Sequence, residues 1–115
     1  MYNRGEIWLA DLNPGKGTEP GKIRPVLIIQ CQALLDAAHP STLIIPLTTN
    51  LIDDADPLRC RIPAAEKLKK DSDLLVDQLR AIDNKRLIKG PLLKCSPRLM
   101  SRIDQCVSEV LDLPL

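Results

Sequence analysis

Aromatic side chains are nearly absent from this chain of 115 residues. It contains one Trp, one Tyr and no Phe. Domains that hold single-stranded nucleic acid by stacking several bases on aromatic rings, such as RRM domains and single-strand-binding OB-folds, need more rings than this. The composition therefore excludes that mode of nucleic-acid binding.

The chain also lacks an excess of charge of either sign and any long hydrophobic run. Sixteen basic residues face 15 acidic residues, which excludes a histone-like mode of nucleic-acid binding but leaves room for a locally basic cleft. No stretch approaches the ~20 apolar residues that a membrane helix needs. The first residues contain no apolar segment typical of a signal peptide, so we expect a cytoplasmic protein with no membrane association.

Residues that bind metals are scarce. The four cysteines are widely spaced with no C-x-x-C pair, and there is one histidine, so we expect no zinc site, no other metal and no cofactor. The thiols are predicted to be reduced and mostly buried. A single His39, between Ala38 and Pro40 in a predicted loop, excludes a two-histidine acid–base mechanism within one chain and is predicted to be non-catalytic.

The apolar fraction of 44% is sufficient for one core, so residues 1–115 are predicted to form a single domain. Short apolar or alternating segments predict a mainly β fold with five to seven strands, and a small closed barrel is favoured over an open sheet. Pro46 in the third strand predicts a bulge or an edge position. The predicted strands cover residues 6–12, 24–31, 41–49, 58–62, 72–76 and 92–95; helical turns are predicted within 32–40 and 84–87, and a helix-prone connector at 63–70.

The C-terminal segment predicts an amphipathic helix. Ser96 is a good N-cap and Pro97 suits the first helical position. Apolar residues at a spacing of three or four define one face, namely Leu99, Ile103, Cys106, Val107, Val110 and Leu111.

The richest group of polar residues surrounds a loop at residues 13–23, which holds three of the five glycines. Lys16, Lys22 and the following Arg24 face one acid, Glu19. Glycines expose backbone N–H groups and the cations favour phosphate, although the P-loop pattern is absent. The alternative is a solvated loop.

Arg24 differs from the lysines because it stands at the start of a predicted buried strand beside Pro25. A guanidinium held there can contact two phosphate oxygens at once. The alternative is a buried ion pair with Glu19 or with Asp77.

Two further groups of polar residues follow predicted strands. Thr48, Thr49 and Asn50 end the third strand, where hydroxyl groups can donate to phosphate oxygens, although Thr is also a common strand residue and Asn a common turn residue. Gln78 can bind a base edge. Arg80 can contact RNA, or pair with Asp77 or Asp83.

Taken in order, these segments resemble the PemK/MazF family of toxins, which are sequence-specific endoribonucleases. The likeness extends over nearly the whole chain. It is carried by Arg-Gly-Glu-Ile-Trp at 4–8, Asp-Leu-Asn-Pro at 11–14, Gly17-x-Glu19, Arg-Pro-Val-Leu-Ile at 24–28, Pro-Leu-Thr-Thr at 46–49 and D-Q-x-R-x-I-D-x-x-R-L at 77–87.

The resemblance implies an SH3-like small β-barrel with a C-terminal amphipathic helix, assembled as a homodimer that binds single-stranded RNA. It implies metal-independent cleavage by attack of the ribose 2′-hydroxyl, which leaves a 2′,3′-cyclic phosphate and a 5′-hydroxyl. It also implies an acidic, MazE-like antitoxin as partner.

Two residues carry over as catalytic, Arg24 and Thr48. Some PemK-type members instead use a first-loop histidine and an arginine before the Asp-Gln pair, and this chain has Thr18 and Leu75 there. The substrate supplies its own nucleophile, so the protein mainly positions it and stabilises charge on phosphorus. Arg24 is expected to contact the non-bridging oxygens, and Thr48 to donate to the same phosphate or to orient the 2′-hydroxyl. The expected RNA-binding residues are Lys16, Glu19, Lys22, Thr49, Asn50, Gln78 and Arg80.

A second hypothesis keeps the same barrel as a binding module, either a CcdB-like gyrase poison or an inactive RNA binder. A gyrase poison acts through a protein partner and leaves RNA intact. A weaker third hypothesis is a phosphate-binding domain of a larger assembly.

Overall fold

A computed structural model describes residues 1–114 of the chain. The predicted single domain, 1–115, extends one residue beyond them, since Leu115 lies outside the described residues. Two 3₁₀ turns cover Val76–Gln78 and Asn84–Arg86. The other elements are β1 (Glu6–Asp11), β2 (Ile23–Ile28), α1 (Gln32–Asp36), β3 (Ser41–Thr48), β4 (Arg59–Ile62), β5 (Ser72–Leu75), β6 (Arg80–Asp83), β7 (Leu87–Lys94) and α2 (Pro97–Leu111).

The seven strands are antiparallel and form a small barrel-like fold. The hydrogen-bonded order is β4-β5-β3-β2-β1-β7, and β6 also pairs with β3. The predicted mainly β architecture with a terminal helix is confirmed. The expected closure of the barrel is wrong, because among residues 1–114 the end strands β4 and β7 do not pair with each other. Helix α2 packs against β4 and the 3₁₀ turn Val76–Gln78.

Strand β3 pairs with two strands on one side. Residues 41–44 pair with β6 and residues 47–48 pair with β5, while the opposite side pairs with β2. Pro46 is opposite Val26 in a regular register and lies between the β6 and β5 ladders. The predicted bulge is therefore wrong, and β3 is not an edge strand, although residue 46 itself is unpaired on one side. Proline fits here because no strand on that side requires its missing N–H.

Several boundaries differ from the prediction. β2 ends at Ile28 because Cys31 already occupies the N-cap position of α1. Strand β6 was not predicted. β7 begins at Leu87 rather than at residue 92. The connector 63–70 is not helical: Ala65 and Leu68 form an isolated bridge, and this turn buries Leu68 in the core.

Helix α2 begins as predicted. The Ser96 Oγ accepts the N–H of Leu99 at 3.1 Å, and Pro97 occupies the first turn. Ile103 and Cys106 are buried against the core, whereas the predicted core residue Leu111 is 49% exposed because it lies at the end of the helix. No helix within residues 1–114 is long and apolar enough to span a membrane.

All four cysteines are free thiols, as predicted, and three are buried. Burial is the main factor that raises the pKa of Cys95 to about 11 and of Cys106 to about 12, and it raises that of Cys60. These thiols are therefore protonated at neutral pH and serve as small apolar core residues.

We expect Ser96→Ala to lower the free energy of unfolding by about 1 kcal/mol, because the N–H of Leu99 loses its acceptor. Urea denaturation at one fixed protein concentration measures this change. Ser101→Ala, at an exposed position of the same helix, is the matched control and should change the value by less than about 0.5 kcal/mol. Equal losses in the two variants would contradict the capping role.

Candidate active site

A pocket of about 350 Å³ opens where β2 begins and β3 ends. It brings together five of the nine site residues expected from the sequence. Its lining consists of Lys22, Ile23, Arg24, Pro25, Leu47, Thr48, Thr49, Asn50 and Ser72.

Arg24 is partly buried and is held by backbone carbonyls. Its Nε donates to the Gly21 carbonyl at 2.9 Å and its Nη1 to the Leu47 carbonyl at 3.1 Å. These two bonds use two of the five N–H donors of the guanidinium. Among residues 1–114 it forms no ion pair, so the alternative of a pair with Glu19 or Asp77 is wrong. Burial lowers the pKa of Arg24 below its ordinary value, because the charged form is partly desolvated.

Thr48 is the last residue of β3. Val26 pairs with Pro46, and extending this antiparallel register by two residues places Arg24 opposite Thr48. Side chains at opposite positions lie on the same face of a sheet. The Thr48 Oγ1 accepts the N–H of Asn50 at 3.2 Å. Its own O–H proton is left available to a ligand in the pocket.

The remaining expected residues divide into two sets. Lys22, Thr49 and Asn50 are exposed and line the pocket. The others do not line it, namely Lys16, Glu19, Gln78 and Arg80.

Arg80 pairs with Glu19, not with Asp77 or Asp83 as one alternative held. The distance from Arg80 Nη1 to Glu19 Oε2 is 3.7 Å, which is too long for a hydrogen bond. The same Nη1 atom is buried and lacks a hydrogen-bond partner within the described residues. The pair is therefore a loose contact between the glycine-rich loop and β6.

A second pocket, of about 710 Å³, surrounds a buried carboxylate that the sequence reasoning missed. Asp73 in β5 is 1% exposed. Its Oδ1 accepts Arg61 Nε at 2.6 Å, and its Oδ2 accepts the N–H of Ile52 at 2.9 Å and Arg59 Nη1 at 3.2 Å. An available signal was a charged residue inside a predicted buried strand, near the two arginines of the alternating segment 58–62.

The charges in this network stabilise one another. Burial works against the charged form of Asp73, but hydrogen bonds from Arg61, Ile52 and Arg59 outweigh it and lower its pKa. The hydrogen bonds to Asp73 and then Asp53 raise the pKa of Arg61 above its ordinary value. Both residues are therefore fully charged at neutral pH.

No group of three or more His, Cys, Asp or Glu side chains in the described part of the chain is arranged to hold a metal ion.

Comparison with known proteins gives one consistent family. Residues 3–111 match the family model described as PemK-like, MazF-like toxin of type II toxin–antitoxin system. A protein of Staphylococcus saprophyticus named Endoribonuclease MazF is 36% identical, over 98% of this chain and 93% of that protein.

Solved structures share the fold. MazF from Deinococcus radiodurans superposes with a TM-score of 0.79 at 18% identity, covering 97% of each chain. A mycobacterial endoribonuclease in complex with its cognate antitoxin superposes with a TM-score of 0.78 at 20% identity, over 100% of this chain and 99% of that chain.

We expect Asp73→Asn to lower the free energy of unfolding at pH 7 by about 3 kcal/mol, because two partly buried arginines lose their contact with a buried counter-charge. The pKa of Asp73 is lower in the folded than in the unfolded chain. The contribution of charged Asp73 to the free energy of unfolding is therefore complete above about pH 4. It is lost as the pH falls through the pKa of Asp73 in the folded chain.

Urea titrations at a series of pH values measure this dependence. The difference between wild type and variant should shrink only at acid pH, and a difference that is constant with pH would contradict the prediction. Asp77→Asn, at an exposed position, serves as control and should change the free energy by less than about 0.5 kcal/mol.

Proposed function

Since this chain belongs to the PemK-like, MazF-like toxin family of type II toxin–antitoxin systems, we propose that it is a sequence-specific endoribonuclease toxin whose active site is the pocket between Arg24 and Thr48. The relative that is 36% identical carries the name Endoribonuclease MazF. The observation that carries the choice of pocket is a partly buried guanidinium that forms no ion pair within residues 1–114 and lies opposite a strand-end hydroxyl.

The proposed reaction uses the nucleophile of the substrate. The ribose 2′-hydroxyl loses its proton to solvent as its oxygen attacks the adjacent phosphorus, the bond from phosphorus to the 5′-oxygen breaks, and that oxygen takes up a proton from solvent. The products are a 2′,3′-cyclic phosphate and a 5′-hydroxyl. No step requires a metal ion, because positioning and charge stabilisation suffice for an internal attack.

Arg24 is assigned to the charge that develops on phosphorus. Its carbonyl contacts hold the guanidinium in place, and its remaining N–H donors can bind the non-bridging oxygens. A phosphodiester also supplies the negative charge that the protein does not provide. Thr48 donates its hydroxyl proton to the same phosphate or orients the 2′-hydroxyl.

The other proposed RNA contacts extend from this centre. Lys22, Thr49 and Asn50 line the pocket and would contact the nucleotides on either side of the cut. Four residues outside the pocket would contact more distant nucleotides, and these are Lys16, Glu19, Gln78 and Arg80.

The proposed partners follow from the family. The protein would act as a homodimer on single-stranded RNA in the cytoplasm and would be inhibited by a cognate acidic, MazE-like antitoxin. A solved structure with the same fold is an endoribonuclease in complex with its cognate antitoxin.

Arg24→Ala should reduce RNA cleavage by at least ~10², because a preorganised donor to the developing charge is removed. Cleavage rates on a long RNA measure the loss, while circular dichroism and size-exclusion chromatography should show an unchanged fold and assembly. Arg98→Ala, at an exposed position of α2, is the control and should cleave at the wild-type rate. Full activity of Arg24→Ala would remove Arg24 from the mechanism.

A substrate with a single 2′-deoxyribose at the cleavage site should remain intact, because it lacks the attacking oxygen. The all-ribose parent should be cut equally well with EDTA present, and its fragments should carry 2′,3′-cyclic phosphate ends by mass spectrometry. Cutting of the deoxy-substituted strand, or loss of cutting in EDTA, would contradict the mechanism. Intact RNA in every reaction would instead favour a non-nucleolytic binding module.

A further inference from the structure

We propose that Asp73 is a positioning residue that acts through Arg59 and Asn50 to hold the Thr48 hydroxyl in the active site. This inference rests on the proposed function, because it concerns how the proposed catalytic hydroxyl is oriented. Asp73 does not line the pocket that holds Arg24 and Thr48, so its effect is indirect.

The first link joins Asp73 to the loop that follows β3. The buried carboxylate accepts the N–H of Ile52 at 2.9 Å, which fixes that residue to β5. Its Oδ2 also accepts Arg59 Nη1 at 3.2 Å, and the same nitrogen donates to the Asn50 carbonyl at 2.8 Å. Arg61 joins Asp73 to Asp53 through bonds of 2.6 and 2.8 Å. The network therefore contacts residues 50, 52 and 53 of one short loop.

The second link joins the loop to Thr48. The N–H of Asn50 donates to Thr48 Oγ1 at 3.2 Å. A threonine side chain occupies one of a few staggered rotamers, and this bond favours the rotamer whose oxygen faces Asn50. Because the hydroxyl accepts from the backbone, its proton is free for the phosphate. The position of Asn50 thus decides where the Thr48 hydroxyl lies.

Register places these residues side by side. Thr48 pairs with Asp73 between β3 and β5, and Asp73 pairs with Arg61 between β5 and β4. With Arg24 opposite Thr48, four polar side chains form one row across four adjacent strands. We call Arg24, Thr48, Asp73 and Arg61 the polar row. A shift of Asp73 in this row is transmitted to its neighbour Thr48 through both the ladder and the loop.

A role in positioning also accounts for a buried charge in this place. Replacing a buried ion pair by apolar residues of similar volume is often neutral or stabilising, so stability alone does not require Asp73. The loop it holds contains Asn50, which lines the active-site pocket. Fixing that loop in advance lowers the reorganisation needed when RNA binds.

A double-mutant cycle tests the proposal. Wild type, Asp73→Asn, Thr48→Ala and the double variant are compared in single-turnover cleavage of one RNA, at a temperature where all four are folded by circular dichroism. We expect Asp73→Asn to lower the maximal rate about tenfold in the wild-type background and less than about twofold in the Thr48→Ala background, since neighbouring residues that act together are not additive. An equal factor in both backgrounds would show that Asp73 acts independently of Thr48, and would overturn the proposal.

A second variant and a second readout cover the case in which Asp73→Asn does not fold. Arg59→Met breaks the link to the Asn50 carbonyl and keeps the pair between Asp73 and Arg61. Hydrogen exchange of the Asn50 and Ile52 amides, measured by NMR on the free protein, should accelerate in Asp73→Asn, and that of Asn50 should accelerate in Arg59→Met. Unchanged Asn50 exchange in Arg59→Met, or an unchanged cleavage rate there, would equally overturn the proposal.

The matched control is Asp104→Asn, which breaks an ion pair of 2.7 Å with Arg4 away from this loop. It should leave both the cleavage rate and the exchange of these two amides unchanged, and a change like that of Asp73→Asn would contradict a specific path to Thr48. If wild type itself leaves RNA intact, the proposed function fails. The exchange measurements then still decide whether Asp73 fixes the loop.

Discussion

The antiparallel pairing of β2 with β3 is the constraint on which the candidate site depends. It aligns residue 24 with residue 48 across two adjacent strands, so that a cation and a hydroxyl share one face. The interior of both strands is buried, and side chains alternate between faces. A slip of one residue would therefore place Arg24 and Thr48 on opposite faces and exchange the side chains that pack in the two core clusters. The packing that stabilises the barrel thus also fixes the geometry of the pocket.

The two arginine environments in this region show opposite uses of the same side chain. Arg61 in β4 is paired with carboxylates, which raise its pKa and leave little for a ligand to add. In the described part of the chain Arg24 bonds to two backbone carbonyls and forms no ion pair, and partial burial lowers its pKa. A polyanion that binds beside Arg24 would supply a counter-charge. Beside Arg61 it would compete with Asp73 for the same N–H donors. Under the proposed function, this electrostatic contrast lets a chain with balanced overall charge offer one local site for phosphate.

Features with a local cause could be predicted from the sequence. Ser96 and Pro97 start α2 through capping and a fixed φ, and the alternation at 58–62 matches the half-buried β4. The site residues Arg24 and Thr48 were suggested by the order of family motifs. Features that depend on contacts distant in sequence were missed or misjudged. The connector 63–70 has helix-prone residues, but burying Leu68 in the core outweighs that preference. The network around Asp73 was missed because its partners come from β4 and the preceding loop, although a charge inside a predicted buried strand was a signal of it.

Pro46 restricts the register in which β3 can pair with its neighbouring strands. It lies between residues 41–44 of β3, which pair with β6, and residues 47–48, which pair with β5. Any sliding of β3 along those two strands would carry the proline into one of the ladders, where its missing N–H removes a hydrogen bond. The connecting loops can therefore change in length and composition without moving the strand ends that carry Arg24 and Thr48, because this residue keeps those ends in alignment.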